Sequence, residues 1–213
     1  MEYIVHDITN KTEDDLLPFP VEKYRNKIGE IYLPNVIGLL VNQEMKLLCL
    51  EALAAQINSD YKQVLKHDEA LVVAPLMNGA MYFGDDLTKR LELPVEIDAL
   101  KLDGYFGGTS TTGEIRMHKD FSRSVKGRHV LLVEDIVDTG HTLEFILGIC
   151  NAKKVASVKV VSFLDKPTAR KVSFYADYIG FKIPDMFVIG YGLDINNQCR
   201  HLDEVAVYSD IKK

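Results

Sequence analysis

The stretch VLLVEDIVDTGHT, residues Val130–Thr142, decides how this chain folds. Its first four residues are all apolar, which is typical of a β-strand that is covered on both faces. The strand runs into the acidic pair Glu134 and Asp135, and the small polar loop Asp138-Thr139-Gly140 then leads into a predicted helix over Thr142–Ala152. A strand, a short loop and a helix in this order predict a βα unit of a parallel sheet.

The alternation of strands and helices continues along the rest of the chain. The spacing of apolar residues predicts helices over residues 43–57 and 80–91. Apolar runs predict strands over residues 70–75, 95–102, 129–134, 157–164, 186–191 and 205–208, with a short helical turn after Pro167. Prolines at 18, 20 and 34 argue against a long element before about residue 41. We therefore predict an α/β fold, a mostly parallel sheet flanked by helices, with its ligand site at the carboxyl ends of the strands.

Composition and charge narrow the classes of function. The chain has 213 residues, 47% hydrophobic and 26% charged, which suits a globular protein of one domain. Asp and Glu together number 31 and Lys and Arg 25, so the formal net charge is −6. Proteins that bind nucleic acids or anionic membranes are normally basic, so we expect neither as a partner.

The cysteines and the first residues indicate a cytoplasmic protein. The three cysteines, Cys49, Cys150 and Cys199, are odd in number and widely spaced, which argues against disulfides and structural zinc and favours a reducing compartment. The first twenty residues lack the basic and then apolar stretches of a secretory signal. No apolar run approaches the length of a membrane span.

The loop around Gly140 is chemically suited to a phosphate. Backbone N–H groups and the positive end of a helix dipole attract anions, and the hydroxyls of Thr139 and Thr142 add donors. The carboxylates of Glu134 and Asp135 would repel a phosphate, yet they suit the vicinal hydroxyls of a ribose or a divalent cation. One ligand with a ribose diol and a 5′-phosphate satisfies both halves. An acidic helix cap is the favoured alternative for a single carboxylate, whereas the whole pattern favours the ligand site.

This segment closely resembles the phosphoribosyl pyrophosphate (PRPP) signature of the type I phosphoribosyltransferases. The stretches FLDKPT (Phe163–Thr168) and YIGFKIPDMFVIGYGLD (Tyr178–Asp194), with Arg200 after them, resemble the purine-binding and pyrophosphate-binding parts of the hypoxanthine-guanine members. The similarity runs from about residue 70 to residue 207, in the order and spacing of that family.

The resemblance implies both a fold and a reaction. The fold is that of the type I phosphoribosyltransferases, with a small hood over the C-terminal strand ends. A single domain over residues 1–213 is implied, whose hood is formed by residues of about 1–40 and 165–213. The reaction is the Mg²⁺-dependent transfer of the 5-phosphoribosyl group from PRPP to hypoxanthine or guanine, giving IMP or GMP and pyrophosphate in purine salvage. Because the family generally forms dimers or tetramers, a homo-dimer or homo-tetramer is expected.

The resemblance also assigns roles around the acidic strand end. Asp138 is the implied catalytic residue, whose carboxylate faces the imidazole ring of the purine as proton acceptor or electrostatic partner. Glu134 and Asp135 are implied to bind the ribose and, together with Asp194, the Mg²⁺. The implied cradle of the 5′-phosphate consists of Thr139, Gly140, His141 and Thr142.

Three further residues are implied to bind the purine base. Lys166 donates to the 6-oxygen, which favours oxo over amino purines because an amino group cannot accept that bond. Phe187 stacks on the base, and Val188 offers backbone hydrogen bonds to it. Taken without the resemblance, Lys166 is more simply a solvated loop lysine and Phe187 a core residue of a strand.

Two loops complete the implied site. Asn78 and Gly79 lie in PLMNGA (Pro75–Ala80), the counterpart of the family's pyrophosphate loop, and Arg200 pairs with the pyrophosphate. The stretch YFGGTSTTGEI, residues 105–115, matches the lid that closes over the reacting centre, with Tyr105 in contact with substrate. Its composition alone fits a flexible hairpin equally well.

The chain departs from the family pattern at four places. Met77-Asn78 replaces Lys-Gly or Arg-Gly, and the sequence leaves open whether this bond is cis, a form that costs a non-proline residue about 2.5–4 kcal/mol. Gly104 replaces the serine before the lid, the usual aromatics before Arg200 are missing, and the acidic pair Asp85-Asp86 is added after the pyrophosphate loop.

Two alternative functions stay open on the sequence. The change at Met77-Asn78 supports a regulator that binds PRPP or a nucleotide without turnover. A phosphoribosyltransferase that prefers xanthine is the second alternative. The presence of Asp138, Lys166, Asp194 and Arg200 argues for catalysis, because binding alone would not need all of them.

Overall fold

The computed structural model describes residues 3–105 and 114–209. The strands are β1 (Tyr3–Asp7), β2 (Val36–Val41), β3 (Leu71–Met77), β4 (Val95–Ile97), β5 (Leu100–Tyr105), β6 (Glu114–Lys119), β7 (His129–Val137), β8 (Ser157–Asp165), β9 (Tyr178–Lys182), β10 (Val188–Ile189) and β11 (Val205–Tyr208). The α-helices are α1 (Val21–Tyr24), α2 (Gln43–Lys62), α3 (Met81–Thr88) and α4 (His141–Ala152). Within these two ranges, no helix is both long enough and apolar enough to cross a membrane.

The main sheet is largely parallel. Its strand order is β1-β9-β8-β7-β3-β5-β6, and β4 pairs with β3 beside this path. The pairings are parallel except for β5 with β6, which run antiparallel. The prediction of an α/β fold with a mostly parallel sheet flanked by helices is therefore confirmed.

Alternate residues of the central strands enter two different cores. In β7, Leu131 and Val133 belong to the core that includes buried side chains of α2 and α3. Val130 and Leu132 belong to a second core, which includes Leu143 and other buried residues of α4. Because helices cover both faces, the strand is apolar at every position from Val130 to Val133 rather than at every second one.

A second, smaller sheet lies beside the main one and is antiparallel, with the order β10-β11-β2. Its core is formed by Tyr24, Ile28, Tyr32, Leu39, Ile189, Cys199, Leu202, Ala206 and Tyr208. The two stretches predicted to form the hood divide between the sheets. Strands β1 and β9 belong to the main sheet, while β2, β10 and β11 form the small one.

The structure corrects several predicted elements. The single strand predicted over residues 95–102 is wrong, because the chain leaves the sheet between β4 and β5. There the buried Asp98 accepts hydrogen bonds from Lys119 and from the backbone and hydroxyl of Ser122. Strands β1, β2, β6 and β9 were not predicted at all.

Helix α2 begins at the predicted residue and ends later than predicted. The side chain of Asn42 caps it by accepting a hydrogen bond from the Met45 N–H at 2.9 Å. The helix continues past Ile57 to Lys62, and its last turn buries Tyr61 in the main core. Helix α3 is shorter than predicted, ending at Thr88. All three cysteines are buried and free of disulfides.

A buried carboxylate fastens the N-terminal segment to the small sheet. The Tyr24 hydroxyl donates to Glu204 Oε2 at 2.8 Å, and Lys23 Nζ donates to the same oxygen at 3.2 Å. The backbone N–H of Gln43 donates weakly to the other oxygen at 3.4 Å. Since both Tyr24 and Glu204 are buried, these bonds replace water that the carboxylate would otherwise bind.

Replacing Tyr24 with phenylalanine should lower the free energy of unfolding by about 1–2 kcal/mol, because a buried charged acceptor loses one donor. Urea denaturation measures the change. Tyr175→Phe is the matched control, since Tyr175 is 59% exposed, and it should unfold like the unaltered chain. Equal stability of the Tyr24→Phe variant and this control would contradict the proposed fastening.

Candidate active site

The acidic pair lies near the carboxyl end of β7. Glu134 Oε2 is buried and has no hydrogen-bond partner in the described chain. Burial raises the pKa of Glu134 well above its ordinary value, and the neighbouring charge of Asp135 raises it further. Burial also raises the pKa of Asp135 to about 6, against the opposing hydrogen bond that its Oδ1 accepts from the Ile136 N–H. The pair is therefore poised to accept a cation or hydroxyl donors.

The loop after β3 lies directly against this pair. The peptide bond between Met77 and Asn78 is cis, which answers the question that the sequence left open. A Cβ on Gly79 would overlap the carboxylate of Asp135, and a Cβ on Gly192 would overlap the carbonyl oxygen of Gly79. Three chain segments therefore meet without space for side chains, and glycine is required at both positions.

The polar loop after β7 forms the mouth of a cavity. Gly140 has a φ of +89°, and a Cβ there would lie 2.7 Å from a methyl group of Val172. Helix α4 begins at the next residue, and the first N–H to reach a helical carbonyl is that of Glu144, which donates to Gly140 at 3.0 Å. The cavity has a volume of about 190 Å³ and is lined by Glu134, Ile136, Val137, Asp138, Thr139, Gly140, Thr142 and Leu143. The carboxylates of Glu134 and Asp138 and the N-terminus of α4 thus border the same cavity.

An ion pair between Arg200 and Asp194, near the small sheet, lies close enough to Asp135 to affect its pKa. Arg200 and Asp194 lie 2.6 Å apart, and Arg200 Nη1 donates to the carbonyl of Gly192 at 2.6 Å. The charge of Arg200 lowers the pKa of Asp135, while that of Asp194 raises it. The turn that carries these two residues therefore acts electrostatically on the acidic pair.

The other predicted residues lie around this centre at different places. The backbone N–H of Lys166 donates to the carbonyl of Val137 at 2.9 Å, and its side chain, 8% exposed, lies 3.5 Å from Asp185. Phe187 is 52% exposed and contacts the ring of Tyr208 edge-on. Val188 is buried in β10, and His141 is the first residue of α4. These residues do not line the cavity described above.

Part of the predicted lid lies outside the described residues. Tyr105 is the last residue of β5, whose backbone pairs with Glu114 at the start of β6. Residues 106–113 of the lid are not described.

The donor set suits a hard cation that is shared with a ligand. Carboxylate oxygens are the preferred ligands of Mg²⁺, and Glu134 Oε2 is a buried oxygen without a donor. Within residues 3–105 and 114–209, however, no group of three or more His, Cys, Asp or Glu side chains is placed to hold a metal alone. The residues therefore fit Mg²⁺ that also takes oxygens from a bound phosphate compound.

Known proteins share this sequence pattern. A family model described as a phosphoribosyl transferase domain matches residues 40–196. The chain belongs to the phosphoribosyltransferase family. The hypoxanthine-guanine phosphoribosyltransferase of Staphylococcus aureus is 40% identical over 168 residues, which are 79% of this chain and 90% of that protein. The hypoxanthine phosphoribosyltransferase of Haemophilus influenzae is 38% identical over 170 residues, 80% of this chain and 94% of that one.

Solved structures of phosphoribosyltransferases share the fold. A hypoxanthine phosphoribosyltransferase from Staphylococcus aureus has a TM-score of 0.76 and 36% identity, over 83% of this chain and 93% of that one. That of Trypanosoma cruzi has a TM-score of 0.73 and 35% identity, over 80% of this chain and 95% of that one. The prediction of the family from the motifs is confirmed.

One residue near the phosphoribosyltransferase motif was missed by the sequence analysis. Arg170, with a side chain only 9% exposed, forms an ion pair with Asp165, which is 1% exposed. Its Nη1 also donates to the backbone carbonyl of Asp138 at 2.7 Å. The N–H of the next residue, Lys171, donates to the backbone carbonyl of Thr139 at 3.0 Å. Arg170 therefore supports the loop from beneath. The ion pair with Asp165 is local, but the contact with Asp138 joins residues 32 apart in the chain, so no local pattern reveals it.

Replacing Arg170 with methionine should lower the free energy of unfolding by about 3–5 kcal/mol, because the buried Asp165 loses its guanidinium. The double variant Asp165→Asn/Arg170→Met should recover part of that loss, since the buried charge is gone. Arg25→Met, which breaks an exposed ion pair with Glu22, is the control and should cost less than about 1 kcal/mol. Chemical denaturation of the three variants measures these differences, and a single variant as stable as the control would refute the role of Arg170.

Proposed function

We propose that this phosphoribosyltransferase carries out the Mg²⁺-dependent transfer of the 5-phosphoribosyl group from PRPP to hypoxanthine or guanine, in purine salvage. The products are IMP or GMP and pyrophosphate. One observation carries the proposal: Glu134, Asp138, Thr139 and Thr142 line a single cavity at the end of β7. That cavity offers the Glu134 carboxylate for a ribose and a helix N-terminus for a phosphate, a combination that PRPP matches.

The 5′-phosphate would lie in the cradle formed by Thr139, Gly140, His141 and Thr142. Support comes from the start of α4, because amides that precede the first helical hydrogen bond point toward the helix N-terminus. The two threonine hydroxyls line the cavity beside those amides. Glu134 and Asp135 would accept hydrogen bonds from the ribose hydroxyls, which supply donors to oxygens that burial has stripped of water.

Asp138 would be the catalytic carboxylate. As the base bonds to the anomeric carbon, it must lose a proton from its imidazole ring, and the Asp138 carboxylate would accept that proton. The side chain is exposed at the cavity, while its backbone carbonyl is held by Arg170. A fixed backbone with an accessible carboxylate suits a group that must meet an incoming base.

Three residues would bind the base. Lys166 would donate to the 6-oxygen and so select oxo over amino purines. Its side chain is largely withdrawn from solvent, so its charge is weakly screened. Phe187 would stack on the base, since half of its ring is exposed, and Val188 would supply backbone hydrogen bonds.

The pyrophosphate would leave beside Asn78 and Gly79, with Arg200 as its cationic partner. The contact of Gly79 with Asp135 supports this, because it sets the loop next to the proposed ribose site. Glu134, Asp135 and Asp194 would contribute ligands to Mg²⁺; because these carboxylates do not form a complete metal site within the described residues, oxygens of the substrate would be needed to complete its shell. When bound, Mg²⁺ neutralises the charge of the departing pyrophosphate.

Several wider properties belong to the same proposal. The chain would be a single domain whose hood, drawn from residues of about 1–40 and 165–213, lies over the strand ends. Tyr105 and the segment after it would form the lid. A cytoplasmic homo-dimer or homo-tetramer is proposed, without nucleic acid or membrane as partner, and the three free buried thiols fit a reducing compartment.

Purified chain, PRPP and Mg²⁺ should give IMP with hypoxanthine and GMP with guanine, identified by mass spectrometry. Chelation of the Mg²⁺ should stop both reactions. Competition among hypoxanthine, guanine and xanthine ranks the bases, and a dominant xanthine product would replace the proposal with the xanthine-preferring alternative. Binding of PRPP without any product would favour the regulator.

Asp138→Asn should lower kcat by about a hundredfold or more, because the amide cannot accept the purine proton. Steady-state rates at saturating PRPP and hypoxanthine measure this. Asp14→Asn, a change of the same type at an exposed N-terminal position, should keep the full rate. A wild-type rate in Asp138→Asn would remove this residue from the mechanism.

A further inference from the structure

The acidic pair Asp85-Asp86 stands on α3, the helix that follows the proposed pyrophosphate loop. Asp85 is exposed and pairs with Lys89 at 2.6 Å, one turn along the same helix. Asp86 faces a different environment, because its Oδ2 accepts a hydrogen bond from the Tyr191 hydroxyl at 2.8 Å. Only the second carboxylate of the pair therefore connects α3 to another part of the chain.

Helix α3 is joined to the pyrophosphate loop by backbone hydrogen bonds. The N–H of Ala80 donates to the carbonyl of Leu76 at 3.1 Å, and that of Gly84 donates to the carbonyl of Ala80 at 2.8 Å. The N–H of Met81 donates to the backbone carbonyl of Asn78 at 3.3 Å. The start of α3, the helix that carries Asp86, is therefore fixed to Leu76 and Asn78 of this loop.

Tyr191 belongs to a turn that packs closely against the pyrophosphate loop. Its N–H donates to Leu202 at 2.8 Å, and the next residue, Gly192, contacts the carbonyl of Gly79 so closely that a Cβ would not fit. The N–H of Gly192 donates to the carbonyl of Arg200 at 2.9 Å. The turn therefore links Gly79 to the ion pair of Asp194 and Arg200.

The side chain of Tyr191 is buried, and its surroundings fix its direction. Its ring packs edge-on against Phe163, with the centroids 4.9 Å apart. Lys46 Nζ lies 4.3 Å from the centre of the Tyr191 ring and donates to the carbonyl of Asp203 at 2.8 Å. Burial raises the pKa of Tyr191, so its hydroxyl keeps the proton that it donates to Asp86. Lys46 is itself 5% exposed, so its cation lies beside the ring largely away from bulk water.

We propose that Asp86 is a positioning residue for the pyrophosphate end of the site. Through the Tyr191 hydroxyl, it holds the Tyr191–Gly192 turn against Gly79, and so keeps the loop at a constant spacing from Asp194 and Arg200. This inference rests on the proposed function. It predicts an effect on PRPP and pyrophosphate that the purine base does not share, because none of these contacts involves Lys166 or Phe187.

Steady-state kinetics with PRPP and hypoxanthine test the proposal. Asp86→Leu and Tyr191→Phe should each raise the KM for PRPP by about tenfold, the loss expected for one hydrogen bond to a charged acceptor, and leave the KM for hypoxanthine unchanged. The double variant should be no worse than either single one, because both remove the same bond. Asp86→Asn should restore most of the KM, since its amide oxygen still accepts from the hydroxyl. Asp85→Leu is the matched control and should behave like the unaltered chain.

Several results would overturn the positioning role. One is an unchanged KM for PRPP in Asp86→Leu and Tyr191→Phe, and another is an equal rise of both KM values, which indicates general loss of structure. Failure of Asp86→Asn to restore the KM would equally reject the hydrogen bond as the cause. Tyr191→Phe removes only a hydroxyl, so it provides the test if Asp86→Leu does not fold.

Calorimetric binding of magnesium pyrophosphate separates this inference from the proposed function. The Kd should rise about tenfold in Tyr191→Phe whether or not the chain turns over a purine. If the unaltered chain forms no IMP but the Kd still rises, the proposed reaction fails and the positioning role stands. An equal Kd in both proteins overturns the positioning role alone, and a wild-type chain that does not bind magnesium pyrophosphate overturns both.

Discussion

Strand β7 is covered on both faces from Val130 to Val133, and the burial continues into the acidic pair that follows. A carboxylate in such a place loses its water, at a cost of several kcal/mol unless a partner replaces it. Glu134, near the carboxyl edge of the sheet, has no such partner for its Oε2 among the described residues, and burial raises its pKa well above the ordinary value. The loops after β3 and β8 reach the same edge because their strands run parallel to β7 on either side.

At this edge the backbone approaches more closely than side chains would allow. Gly79 has the carboxylate of Asp135 on one side and Gly192 on the other, so the two glycines bring the small-sheet region onto the end of the main sheet. The acids that meet there are partly compensated by Arg200, and the pKa of Asp135 stays raised. A site of this kind is stabilised when a ligand brings cations and hydroxyl donors. The negative net charge of the chain thus says little about its ligand, whereas the position of its acids says much.

The sequence predicted the central elements well and the peripheral ones poorly. Strand β7, strand β8 and helix α4 were predicted to within a few residues, because apolar runs and helical spacing identify buried elements directly. Strands β1 and β9 were also missed. Strand β1 is an edge strand, and it depends on its parallel partner β9 for hydrogen bonds. Strand β2 needs β11, more than 150 residues away in the chain, to complete its sheet. The family was predicted correctly from the motifs, while the roles of individual site residues remain predictions.

By itself, the sequence determined the fold class and the family, because both follow from local patterns of apolar residues and from short motifs. The same patterns predict the edge of the sheet at which we propose the site. Only the tertiary structure decided what supports that site. Arg170 beneath the loop of Asp138, and Asp86 bonded to Tyr191, act across elements that are far apart in the chain. Their importance comes from burial and from distances of a few ångströms between groups, and a linear pattern of residues carries neither.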